Sequence, residues 1–392
     1  MLTLVQMVSA FYFKQKNTTR IPVSYGSGIA RELAEPICAA GYRSVFLACG
    51  GTIQRKNMLG ELILALQEKG IKTTVYSGIV SDPTVENVEK GLALLKENQC
   101  DCVIAAGGGS VLDCTKVIAL RATNPHCPVS LMSFYLRPLR KALPLFVIPT
   151  TSGTGSEVTY FSVITDEEKQ MKRAIITDRY LPQTIVFDAA LLKTVPENPT
   201  IYAGLDALTH SVEAYISRFK RFFKEDAQSA PKVCRDIFHY LPIVKEEPEN
   251  EKARLRMAHA AYHAGINFRR NSVGYVHAIA HRLGETYHIP HGLACGVVLP
   301  HVLRSSLSEA KMDLDVLAAE SGLASSAEEF IMRIETLLDE LGVKQGFPEI
   351  KTEDYPKMLR RIQPEAKMQG CPKWLSNDEI EGILEELREK DR

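Results

Sequence analysis

From residue 20 onward, short apolar runs bounded by glycine alternate with amphipathic stretches of helical length. RIPVSYG, SVFLACG, KTTVYSG, CVIAAGGGS and LPLFVIPTT read as strands, and the stretches near 30–40, 57–69 and 84–97 as helices between them. That rhythm predicts an α/β region built on a parallel sheet. TYFSVITD, KRAIITD and QTIVFD follow as strand-like segments separated by polar turns, which predicts a hairpin added to the sheet. From about residue 198 the pattern changes to long helices, ending in the charged, amphipathic DEIEGILEELREK. ENPTIYAG, with its proline and glycine, is the expected boundary between an α/β domain, 1–198, and a helical domain, 199–392.

Composition narrows the function. At 392 residues and 45% hydrophobic, the chain is long enough for two cores. Lys plus Arg equals Asp plus Glu at 47 each and no basic block occurs, which argues against nucleic-acid and acidic-membrane partners and leaves small ligands. Nine cysteines without a CxxC pair fit reduced thiols and a cytoplasmic location. MLTLVQMVSAFYFKQK lacks the charged leading region of a signal peptide, and no apolar run approaches membrane length.

Histidine placement changes the picture most. Residues 270–302 hold five of the ten histidines. His277 and His281, four apart in a stretch without proline, fall on one helix face, and Pro290 forces a break before His291. Upstream, GLDALTHSVEAYIS sets Asp206 and His210 at the same spacing. One carboxylate and several imidazoles suit Fe(II), Zn(II), Ni(II) or Co(II) with a position open to a substrate oxygen. Asp206, His210, His277 and His291 are the candidate ligands; His259, His263, His288 and His301 are read as structural.

Two glycine-rich loops follow apolar strands. GGGSVLDCTK, 107–116, opens a helix whose free N–H groups and positive dipole end suit a diphosphate. PTTSGTGSEVT, 149–159, offers hydroxyls and glycines to a ribose or diphosphate. Ligands bind beyond the carboxyl ends of strands in open α/β sheets. Neither loop has the GxGxxG or P-loop spacing.

SYGSG, GGGSVLDCTK, PTTSGTGSE, GLDALTHSVEAY and the HAIAH…PHG run, collinear from about residue 20 to 301, resemble the iron-containing (group III) alcohol dehydrogenase family. The resemblance implies an N-terminal Rossmann-like α/β domain binding NAD(P), an all-α C-terminal domain, and a divalent metal in the cleft between them, Fe(II) before Zn(II) or Ni(II). It also implies a homodimer or larger assembly. Asp206, His210, His277 and His291 fall on the family's ligand positions, and His281 on a histidine near the nicotinamide and metal. Gly108, Gly109, Ser110, Thr150, Thr151 and Thr154 match diphosphate and ribose contacts. Lys172 matches a lysine reaching toward the cofactor, Leu191 to Val195 the segment beside the adenine, and Asp82 stands where asparagine is frequent. Asp113 is given a cofactor-side role.

Family members using NAD tend to carry an acidic residue where this chain has Gly50. An aspartate there repels a 2′-phosphate, whereas Gly50, Gly51 and Thr52, with Arg55 and Lys56 nearby, accept one, so NADP is favoured over NAD. Arg282 and Glu285 depart from the usual residues at the expected substrate mouth. The implied chemistry is hydride transfer between an alcohol and the nicotinamide, with His281 relaying the proton and Asp206, as the lone anionic ligand, leaving the site net positive. A glycerol-type dehydrogenase or dehydroquinate synthase-like metalloenzyme is the neighbouring reading, with a ligand set commonly including glutamate. A catalytically silent cofactor-binding relative is the alternative from another class.

Overall fold

The computed structural model describes residues 4–14, 21–132, 139–169 and 171–390. Arg20, which heads the first expected strand, and the ends of the leading segment, 1–3 and 15–16, lie outside the described residues. The chain divides into two compact units, Asn17–Val195 and Met1–Lys16 together with Pro196–Arg392. The helix α1, Leu4–Lys14, therefore groups with the helical unit, where Gln6 Nε2 donates to the Gln369 carbonyl at 2.7 Å.

The α/β unit runs through β1 (Val23–Gly26), β2 (Ser44–Cys49), α2 (Gly51–Arg55), α3 (Gly60–Glu68), β3 (Lys72–Tyr76), α4 (Val85–Glu97), β4 (Cys102–Gly107), α5 (Gly109–Thr123) and β5 (Leu145–Pro149). It continues with β6 (Phe161–Asp166), β7 (Met171–Ile176) and β8 (Thr184–Asp188). Six strands pair in parallel in the order β1-β8-β5-β4-β2-β3. Every residue of β4 and β5 is buried, as expected of central strands covered on both faces.

The expected hairpin addition needs correction. β6 and β7 pair with each other, antiparallel, as a separate two-stranded sheet that is joined by a single parallel bridge from Thr165 to Thr84, while β8 joins the main sheet in parallel between β1 and β5. The reason is burial. TIVFD buries four consecutive residues and fits a site covered on both faces, whereas FSVITD alternates buried with more exposed positions and has one face for water. The expected helix at 57–69 starts at Gly60, and GTIQR forms the unexpected short helix α2.

The helical unit contains α6 (Glu197–Ile216), α7 (Ala230–Glu246), α8 (Glu251–Asn271), α9 (Tyr275–Tyr287), α10 (His291–Ser321), α11 (Ala327–Glu340), α12 (Tyr355–Met368) and α13 (Asn377–Glu389). ENPTIYAG, read as a boundary, opens α6. α6 is the central helix, packed on by α7, α8 and α10, and every residue from 204 to 216 is buried. Its polar residues Asp206, His210 and Glu213 are therefore held out of water, where each needs a partner or a function. All nine cysteines are free, and no described helix is long and apolar enough to cross a membrane.

One buried group makes the stability of the α/β unit pH-dependent. Lys116 on α5 donates to the Ser156 and Phe161 carbonyls at 2.9 and 2.5 Å, clasping the loop after β5. Glu157, in that loop, is 3% exposed, and burial pushes its carboxyl up to about 7, although Lys116 pulls it down. A carboxyl raised on folding contributes stability that is fully present below its unfolded pKa and is lost as the pH rises through about 7. The loss amounts to about 3 kcal/mol. Glu157→Gln should therefore hold its thermal midpoint between roughly pH 5 and pH 8, where the parent protein loses several degrees. Parallel calorimetric curves for the two proteins would refute this.

Candidate active site

In the α/β unit, β5, β4 and β2 are neighbours, and the loops after them place Thr150, Gly108 and Gly50 at one edge of the sheet. The strand order reverses between β2 and β4, since β3 lies beyond β2 on one side and β5 beyond β4 on the other. Such a switch point is where open sheets take nucleotides. The two glycine-rich loops interlock: a Cβ on Gly108 would stand 3.1 Å from Thr151 Cγ2, and one on Gly109 2.8 Å from Thr154 Cγ2. Glycine thus lets the backbone of α5 start in close contact with the threonines.

Several expected cofactor residues are engaged with one another. Both carboxylate oxygens of Asp113 are taken, one by the Ser156 hydroxyl at 2.5 Å and one by the Val163 amide at 2.8 Å, so Asp113 anchors the threonine loop. The Ser110 hydroxyl donates to the Ser81 carbonyl. Lys172 donates to Asp82 at 2.7 Å in an exposed pair. Leu191 is buried in the sheet's core, and Val195 is half-buried in the turn that follows. Gly50 faces open space, and the Arg55 guanidinium folds back to donate to the Thr52 hydroxyl at 3.1 Å.

In the helical unit, α6, α9 and α10 converge. Asp206 and His210 lie one turn apart on α6, and His277 and His281 one turn apart on α9. α9 ends at His288, which adopts a left-handed backbone with φ 59°, and Pro290 starts α10 so that His291 occupies its first turn. Gly292 lets α10 press against α6, since a Cβ there would lie 2.1 Å from the Tyr202 carbonyl oxygen. The next turn repeats the contact, Gly296 against Leu205.

The result is a convergence on one oxygen. Nε2 of His210, His277 and His291 lie 3.7, 3.6 and 3.5 Å from Asp206 Oδ1. These separations are too long for hydrogen bonds. They approach the roughly 3.4 Å expected between ligands held about 2.1 Å from one ion at tetrahedral angles. Asp206 Oδ1 and His277 Nε2 are buried with no hydrogen-bond partner, which fits donors arranged for a cation. Burial pushes the Asp206 carboxyl up, but the His210, His291 and His277 rings more than offset this and leave it far below the usual carboxylate range. His281 stacks on His291 with centroids 5.1 Å apart and rings 15° from parallel.

Three neighbours escaped the sequence reading. Glu213 accepts from the Val276 amide at 2.9 Å and lies 2.6 Å from His277 Nδ1. Asp206, His210 and Glu213 stand at i, i+4 and i+7, a shared helix face that the spacing alone could have revealed. Glu213 is thus a second carboxylate beside the cluster, bonded to the outer nitrogen of a ring that faces Asp206, where it adds negative charge and raises the basicity of His277. Cys295, one turn after His291, places Sγ 3.6 Å from His291 Nε2 and groups with Asp206, His277 and His291 as a possible metal donor set. Glu365 of α12, for which no local pattern gives a signal, lies 2.5 Å from His281 Nδ1. Arg282, expected at the substrate mouth, is buried and paired with Glu285 and Glu365 at 2.9 and 3.0 Å.

A parallel-sheet unit with glycine loops and a helical unit that gathers Asp206, His210, His277 and His291 suit a metal-dependent oxidoreductase that works with a nicotinamide cofactor. Comparison with known proteins names the family. Residues 22–189 match the family described as iron-containing alcohol dehydrogenase, and residues 200–387 the C-terminal part of the Fe-containing alcohol dehydrogenase family. The chain is 33% identical to alcohol dehydrogenase 4 of Saccharomyces cerevisiae, over 94% of this chain and 97% of that one. It is 29% identical to the NADPH-dependent butanol dehydrogenase of Clostridium saccharobutylicum, over 93% and 95%. A crystal structure of 1,3-propanediol oxidoreductase superposes with a TM-score of 0.85 at 29% identity, covering 95% of this chain and 100% of that one. The chain belongs to the iron-containing alcohol dehydrogenase family. It is an oxidoreductase acting on alcohols with NAD(P) and a divalent metal.

Metal uptake should respond to Glu213 and to pH. Burial disfavours charge on His277, but Cys295, Asp206 and Glu213 more than offset it, holding the ring's pKa well above its ordinary value. Histidine takes a cation as the neutral imidazole, so affinity should rise as the pH rises. Glu213→Ala should weaken binding roughly 10- to 100-fold. Calorimetric titration in buffers of different ionisation enthalpy measures both, and unchanged affinity in Glu213→Ala would contradict the assignment.

Proposed function

We propose that the chain is an alcohol dehydrogenase and aldehyde reductase in which Asp206, His210, His277 and His291 hold the cation, preferentially Fe(II) ahead of Zn(II) or Ni(II), and NADP is the preferred cofactor. The observation that carries this reading is the approach of three Nε2 atoms to within 3.5–3.7 Å of Asp206 Oδ1. When bound, the cation supplies Lewis-acid polarisation of the substrate oxygen. Glu213 holds His277 by Nδ1, which keeps Nε2 directed at Asp206. His281, 40% exposed, takes the proton released as an alcohol is oxidised and returns it on aldehyde reduction.

In the α/β unit, Gly108, Gly109 and Ser110 present the start of α5 to the diphosphate, and Thr150, Thr151 and Thr154 add hydroxyls for it and the ribose. Asp113 secures that loop, while Asp82 and Lys172 stand as an ion pair on the cofactor's flank. Leu191 and Val195 border the adenine. Gly50, Gly51 and Thr52 leave room for a 2′-phosphate, and the Arg55 guanidinium at Thr52 supplies a cation. We place the enzyme in the cytoplasm as a homodimer or larger assembly, with reduced thiols.

Protein loaded with Fe(II), Zn(II) or Ni(II) should oxidise NADPH in the presence of aldehydes, followed by nicotinamide absorbance. His277→Ala and His291→Ala should each lose bound metal and at least about 100-fold in turnover; retention of both would refute the ligand set. kcat/KM should favour NADPH over NADH by roughly tenfold, about 1.4 kcal/mol, and Arg55→Ala should narrow that ratio. A clear preference for NADH would overturn the cofactor reading.

A further inference from the structure

A line of alternating charge runs along the seam between α9 and α12. Arg361 Nη1 lies 2.7 Å from Glu285 Oε2, which lies 2.9 Å from Arg282 Nη1. Arg282 Nη2 donates to Glu365 Oε2 at 3.0 Å, and Glu365 Oε1 lies 2.5 Å from His281 Nδ1. Arg282 is 8% exposed, so its guanidinium cannot leave these carboxylates without an uncompensated buried charge. Both oxygens of Glu365 are consequently committed, one to Arg282 and one to His281. A carboxylate only accepts, so a neutral His281 facing it must carry its hydrogen on Nδ1 and keep the lone pair on Nε2. Imidazole in water favours the opposite tautomer, so the protein imposes this one.

We propose that Glu365 is the positioning residue for His281, fixing its tautomer and ring plane, and that Arg282 is the anchor that keeps Glu365 in place. This rests on the reading of His281 as the proton relay: only the tautomer with a free Nε2 accepts a proton there while Nδ1 stays bonded. Arg282 thus acts behind the catalytic histidine, and its effect on the substrate is indirect.

Glu365→Gln separates this role from simple helix packing. Arg282 can only donate, so the glutamine amide must turn its oxygen to Arg282 and its NH2 to His281 Nδ1, which inverts the tautomer while preserving shape. Serine-protease triads show the same sensitivity, since replacing their aspartate by asparagine traps the wrong tautomer.

In metal-free protein labelled at histidine nitrogen and held at alkaline pH, proton–nitrogen correlation spectra should show Nδ1–H for His281 in the parent and Glu365→Asp, and Nε2–H in Glu365→Gln. In metal-loaded enzyme, Glu365→Gln should lower kcat by roughly 100-fold. The alcohol KM should change less than about threefold, with metal content unchanged, and Glu365→Asp should recover most of the activity. In a His281→Ala background, Glu365→Gln should have no further effect. An unchanged tautomer in Glu365→Gln, or an equal loss of kcat with and without His281, overturns the proposal. If the tautomer inverts but His281→Ala keeps full turnover, the relay reading fails and the positional assignment of Glu365 stands.

Discussion

The buried carboxylate of Asp206 is the constraint around which the helical unit is arranged. An acidic side chain in the interior of a central helix is unfavourable unless positive charge or donors surround it. Here three imidazole Nε2 atoms stand 3.5–3.7 Å from one of its oxygens without bonding to it, and that oxygen has no hydrogen-bond partner. That arrangement leaves unspent donor capacity at the centre, which suits a group that binds a cation. It also explains why the surrounding elements fit so closely: a ring displaced by about 1 Å no longer shares the site.

Glycine and carboxylates achieve that fit by different means. Gly292 and Gly296 remove side chains from the contact between α6 and α10, which sets how near His291 comes to Asp206. Glu213 and Glu365 hold the outer nitrogens of His277 and His281, which sets how those rings are turned. Backbone approach determines distance and hydrogen bonding determines orientation. Both are needed because an imidazole can rotate about its side-chain bonds even when its Cα is fixed.

The α/β unit uses the same division of labour around its glycine loops. Gly108 and Gly109 permit contact with Thr151 and Thr154, while Asp113 and Lys116, from within α5, fasten the threonine loop. Asp113 and Lys116 are thus structural supports of the loop that carries the threonines. A buried lysine bonded to two backbone carbonyls is a firm tether, because losing either bond leaves a buried carbonyl without its donor.

Much of this was legible in the sequence. Strand and helix periods, the four-residue Asp/His spacings and the break at Pro290 are properties of neighbouring residues, and they predicted the parallel sheet, the helical unit and the one-turn spacing of Asp206 with His210 and of His277 with His281. The place of β8 inside the sheet and the separation of β6 and β7 were not legible, because short apolar segments look alike until their covered faces are known. Nor were the partners of His277 and His281, which lie 64 and 84 positions away in sequence. Local pattern determined which residue types sit on which face. Only the tertiary structure decided which distant faces meet, because that outcome depends on how whole helices pack and not on any one stretch of chain.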